Sequence, residues 1–187
     1  MASQYGESSE PPEKLEKNLR LDFFTENIPL RWTHCSSTAN FLSDYYHALV
    51  GGSYQASAAA DLRHSIAYLA NELLENAVKF RAEGDVTVET GFHENEFIVR
   101  IGNYITPEMS AAFQQLLSEI TKGDPGELLI QRIEANAEGS GGSGLGLLTL
   151  MNDYGVRFSW SFATPEGDRV FLRTIARLPL PSAETSR

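Results

Sequence analysis

Cys35 is the sole cysteine in 187 residues. No intramolecular disulfide can form, and no cysteine set for a zinc site exists. The four histidines, His34, His47, His64 and His93, show neither HExxH nor HxH spacing, which argues against metal ligation through imidazole. No apolar run approaches the roughly 18 residues of a membrane span. The opening segment MASQYGESSEPPEKLEKNLR lacks the apolar core of a signal peptide. Basic charge is scarce as well: 15 Lys and Arg stand against 25 Asp and Glu, for a net charge of −10. Nucleic acids and anionic membranes select a basic surface, so neither is the expected partner. A soluble, reduced, cytoplasmic protein is the expectation.

What is present suits one globular domain. Apolar residues make up 42% of the chain and charged residues 21%, and this length suffices to bury a core. Residues 1–17, rich in Ser, Glu, Pro and Lys, are expected to form a disordered tail. Residues 18–179 form the domain, and 180–187 read as a second tail. The stretch SSTANFLSDYYHALVGG predicts a capped helix ending at Gly51 and Gly52. A longer helix is expected over 58–80. DVTVETGF and EFIVRIGN alternate in the manner of a β-hairpin. Two helical pieces follow over 107–121 and 126–139, the first opened by Pro107. A helix from Leu145, with Gly155 as its stop, leads into the strands VRFSWSF and RVFLRTIARL. The order predicts an α+β layer of helices on one face of a sheet.

Two segments carry chemistry. In DLRHSIAYLANELLENAVKF, Leu62, Ile66, Leu69, Leu73, Ala77 and Phe80 recur at helical spacing as a core stripe. Glu72, Asn76 and Lys79 lie on a line beside that stripe. One reading is a solvated edge with an ordinary Glu–Lys partnership. The other is a carboxylate that takes a proton, a carboxamide that holds a hard cation through oxygen, and an ammonium near phosphates. On the last strand, Thr174 shares a face with Val170, Leu172, Ala176 and Leu178.

The second segment is AEGSGGSGLGLLTLMNDYG, which gathers a third of the chain's 15 glycines between Gly139 and Gly146. A P-loop is excluded because no Lys follows the glycines. GSGGSG fits GxGxxG in form, but the Rossmann fingerprint needs a preceding strand and a βαβ unit, and here a helix precedes. A flexible linker accounts for residues 139–143. It does not account for GLGL entering a helix, where glycines let backbone N–H groups and the positive dipole end approach an anion.

Together ELLENAVKF and GSGLGLLTL resemble the N-box and the G2 box of the GHKL (Bergerat) nucleotide-binding family, in order and at the family's separation. The resemblance covers roughly residues 37–179. It implies a two-layer α/β sandwich, its mixed sheet covered on one face by helices. It further implies ATP and Mg²⁺ as ligands, with Asn76 coordinating the metal and Glu72 acting as general base. Gly142, Gly144, Leu145 and Gly146 would meet the triphosphate, with Lys79 as a nearby basic position and some part of 107–141 as a lid. Where the family usually carries DxGxG, with its Asp receiving the adenine amino group, this chain has Asn103 followed by Tyr-Ile-Thr-Pro. An Asn carbonyl accepts the same bond without the charge; Thr174 is the second candidate contact to the base. Among family branches, the chain is most similar to the small serine/threonine kinases of bacterial partner-switching systems. These phosphorylate a STAS-domain partner, in some cases also bind a sigma factor, and are often homodimers. The alternative is a non-catalytic protein-binding regulator on the same fold.

Overall fold

The computed structural model describes residues 3–7, 14–24, 31–137, 144–163 and 168–181. They form an α+β sandwich of two layers, a six-stranded sheet and five helices. The strands are β1 (Ser3–Gly6), β2 (Glu16–Phe23), β3 (Val86–His93), β4 (Glu96–Ile105), β5 (Arg157–Ala163) and β6 (Val170–Pro179). Their order across the sheet is β1-β5-β6-β4-β3-β2. The helices are α1 (Trp32–Val50), α2 (Ala56–Lys79), α3 (Pro107–Ile120), α4 (Pro125–Ala137) and α5 (Leu145–Asp153).

Period-two alternation decides which strand face meets the helices. On β4 that face carries Phe97, Val99, Ile101, Asn103 and Ile105, and on β6 it carries Val170, Leu172, Thr174, Ala176 and Leu178; all ten are buried. The α2 stripe of Leu62, Ile66, Leu69, Leu73 and Ala77 packs into the same core. Tyr46 of α1 is wholly buried there, its ring edge-on to Phe92 and Phe97 and its hydroxyl 2.9 Å from Thr90 Oγ1. Burial pushes the Tyr46 pKa up to about 12, so this phenol stays neutral at physiological pH. On the opposite sheet face Leu15, Ile98 and Ile175 form a small second cluster.

Two expectations are corrected. The sheet, expected to be mixed, is antiparallel in every pairing. The β3–β4 and β5–β6 hairpins build its four central strands and join along β4 and β6, which also run antiparallel. The segment expected as a disordered tail over 1–17 instead contributes β1, the start of β2 and the buried Leu15. β1 and β2 are the two edges of the sheet. Edge strands keep Lys, Glu and Arg on their solvent side, so a polar composition does not exclude them. Of the expected second tail, Leu180 donates its backbone N–H to Asn95 O at 3.0 Å and packs on the core. Residues 182–187 lie outside the described residues.

Candidate functional site

The helix layer parts from the sheet over a cavity of about 380 Å³, within the range of small-molecule sites. Its floor is Ile101, Asn103 and Ile105 of β4, Leu172 and Thr174 of β6, and Trp160 of β5. α2 supplies one wall through Glu72, Asn76 and Phe80. α3 supplies another through Met109, Phe113, Gln115, Leu116 and Glu119, and α4 adds Arg132. The first turn of α5 closes the rim with Gly144, Gly146 and Leu147.

Local sequence explains each position. Thr106 caps α3, its hydroxyl accepting from Met109 N at 3.2 Å, and Pro107 fixes the first turn. α5 starts at Gly144, whose φ of 109° is left-handed backbone that L side chains avoid. Leu116 of α3 lies where a Cβ on Gly144 would stand, 3.2 Å away. Gly146 matters for another reason. A Cβ there would fall 1.8 Å from Glu72 Oε2. The Glu72 carboxylate therefore rests on the bare backbone of Gly146, and the two segments meet in space.

Glu72 is half-buried, with no hydrogen-bond partner among the described residues. Burial, and then the neighbouring Glu75, push its carboxyl above the usual value of 4.5. A carboxylate poised this way is a stronger proton acceptor than a solvated one. Tyr68, one turn earlier on α2, stacks on Tyr154 beyond α5 with ring centroids 5.2 Å apart. Asn103 is 3% exposed, and its Nδ2 donates to Tyr104 O at 3.4 Å, which leaves Oδ1 as its acceptor. Asn103 pairs with Leu172 and Thr174 with Ile101, so the two polar groups of the floor sit one diagonal step apart.

The cavity thus brings together Glu72, Asn76, Asn103, Gly144, Gly146 and Thr174. It leaves out two expected contributors. Lys79 is exposed and does not line the cavity; its Nζ lies 4.9 Å from the centre of the Phe80 ring. Leu145 is not on the cavity wall either. Gly142 lies outside the described residues. Sequence reading missed Arg132, which lines the cavity and holds Glu119 Oε2 at 2.7 Å from Nη2. No motif marks Arg132; only the packing of α4 on α5 brings it to the mouth.

Among the described residues no group of three His, Cys, Asp or Glu is arranged to hold a metal, and no helix is long and apolar enough to cross a membrane. No protein-family model matches the chain, and no curated protein matches it in sequence. A chain of the solved SiaB–SiaC complex from Pseudomonas aeruginosa shares its fold. The TM-score is 0.60 over 86% of this chain and 89% of that one, at 18% identity.

Proposed function

We propose that the protein is a Mg-ATP-dependent serine/threonine kinase of a bacterial partner-switching pathway, acting on a small STAS-type protein. One observation carries the reading: Glu72 and Asn76 share a cavity with Gly144 and Gly146, and Gly146 lacks the Cβ that would displace Glu72. The SiaB–SiaC structure, a complex in which one chain has this fold, supports a protein partner.

The residues present fit a magnesium nucleotide. Asn76 offers the hard carboxamide oxygen that suits Mg²⁺, an ion that takes few protein ligands and several phosphate or water oxygens. The first turn of α5 offers N–H groups and a positive dipole end. Bound Mg²⁺ would neutralise charge on the phosphates. Asn76 would hold it. Asn103 Oδ1 and the Thr174 hydroxyl would orient the base on the floor, while Phe80 and Leu172 exclude water beside it. Glu72 would accept the proton of the attacking Ser or Thr hydroxyl, and its desolvation raises the driving force for that transfer.

Calorimetric titration of wild type and Asn76→Ala with Mg-ATP is the direct test. Micromolar binding is expected for the wild type, with at least tenfold weaker binding for the variant. Equal binding by both proteins would sink the assignment of Asn76. Arg132 supplies a second prediction. As a cation on the cavity wall already paired to Glu119, it can exchange that carboxylate for a phosphate. Charge-assisted bonds of this kind contribute about 1.5–3 kcal/mol. Arg132→Ala should therefore weaken ATP about tenfold or more while leaving adenosine affinity unchanged. Glu119→Gln should tighten ATP binding.

A second reading is favoured by Asn103, an uncharged residue where the family's base-binding Asp is expected. In that reading the fold is a non-catalytic regulator that binds its protein partner, a sigma factor included, without regard to nucleotide. Partner affinity unchanged by Mg-ATP, with no phosphate transferred to the partner, is the outcome that selects it.

A further inference from the structure

We infer that strand β1 belongs to the nucleotide site, and that Tyr5 is the positioning residue which seats α3 over the cavity. The inference rests on the proposed nucleotide reading and deepens it by naming what sets affinity from outside the two motifs.

α3 forms a whole wall of the cavity, yet it buries only Ser110, Leu117 and Ile120 of its own. A helix so lightly embedded is positioned by what it leans on. Within the sheet it packs most extensively on β1. The Tyr5 hydroxyl donates to Gln114 Oε1 at 3.2 Å, and Gln114 Nε2 in turn donates to Ser110 Oγ at 2.9 Å. The Tyr5 ring stands edge-on to Phe162, at 5.9 Å between centroids and 84°. Phe113, one residue before Gln114, meets the same Phe162 at 6.1 Å and Trp160 at 6.3 Å. Trp160 is cavity floor and Phe113 is cavity wall. Tyr5 thus fixes α3 twice, through Gln114 directly and through the aromatic group that Phe113 completes.

β1 is itself a marginal element. It is a four-residue edge strand paired along one side only, to β5. Beyond the ladder, the N–H of Glu7 donates to Phe158 O at 2.9 Å and the Glu7 carboxylate holds Arg157 at 2.7 Å. Short edge pairings of this kind open at lower free energy than core strands. Whatever loosens β1 loosens the seat of α3, and an open seat widens the site that Leu116 closes against Gly144. Affinity for nucleotide is then a function of β1 pairing, because only molecules with β1 docked present the complete cavity.

The test compares wild type, Tyr5→Phe and Tyr5→Ala by Mg-ATP calorimetry and by amide hydrogen exchange across 107–120. Tyr5→Phe keeps the ring contact with Phe162 and loses the bond to Gln114, so a two- to fivefold loss of affinity is expected. Tyr5→Ala loses both, and about tenfold or more is expected, with faster exchange in α3 and unchanged exchange in the Leu62–Ala77 core of α2. A merely structural Tyr5 would lower the unfolding temperature and leave affinity below that temperature untouched; that result overturns the inference. Should wild type bind no Mg-ATP, the kinase reading fails. The exchange data still decide the coupling: α3 protection unchanged in Tyr5→Ala refutes it, and α3 protection lost without change in α2 upholds it.

Discussion

Glu72→Gln should lower phosphotransfer by roughly 10²–10⁴-fold, the usual contribution of a positioned general base, and should stabilise the fold at the same time. The two effects have one cause. Burial and the nearby Glu75 disfavour the charged carboxylate, so its folded-state pKa lies above the ordinary 4.5. For a carboxyl shifted in this direction, folding favours the protonated form. Its contribution is fully present below the unfolded pKa and is lost as pH rises through the folded one. Gln stays neutral throughout. The variant should match wild type near pH 4 and exceed it in unfolding temperature at pH 8. Thermal melts across that range, beside a phosphotransfer assay, read both effects. A variant less stable than wild type at pH 8 would mean that Glu72 makes favourable contacts which outweigh its desolvation. The same shift predicts that wild-type activity rises with pH as Glu72 ionises. Nucleotide affinity should change little in Glu72→Gln, because the amide keeps the shape of the side chain and the role proposed for the residue is on the acceptor hydroxyl.

The contact between Glu72 and Gly146, far apart along the chain, marks the limit of what the sequence displays. Periodicity is a local signal, and it placed α2, the β3–β4 hairpin, α3 and the β5–β6 pair close to where they lie, because each is set by its own alternation and its own caps. The α2 stripe is legible for that reason, and so is the Thr106–Pro107 start of α3. β1 and β2 are not legible. Each becomes a strand only because an edge of β5 or β3 offers unpaired N–H and C=O groups, and their solvent sides read as polar tail. The site divides along the same line. Glu72 and Asn76 stand out by helical spacing, and Gly144 and Gly146 by the helix they open. Lys79 sits on the same helical line, but in the last turn of α2 it is exposed and does not line the cavity. Arg132 and Tyr5 carry no pattern at all. Their roles exist only once α4 has docked on α5 and β1 on β5.

Gly146→Ala should abolish activity with little cost to folding, a combination that few glycine substitutions show. Gly146 is the second residue of α5, where Ala improves helix propensity by about 1 kcal/mol. Against this gain stands the new Cβ, 1.8 Å from Glu72 Oε2 and 2.7 Å from Glu72 Cδ. The obstructed atom is the free end of a flexible side chain, so Glu72 can swing away, and the fold survives. The catalytic geometry does not. With the carboxylate turned from the acceptor position, phosphotransfer should fall at least a hundredfold, as for the loss of the base itself. On the proposed reading nucleotide affinity should also drop, because the methyl group would occupy the surface assigned to the phosphates. A double-mutant cycle isolates the contact. In a Glu72→Ala background the three atoms nearest the new methyl group are gone, and Gly146→Ala should become stabilising. The coupling energy between the two positions should lie in the range of about 0.5–3 kcal/mol found for touching residues. Additive effects on stability would mean that Glu72 does not rest on Gly146. The two sequence boxes would then be neighbours in the fold without forming one site.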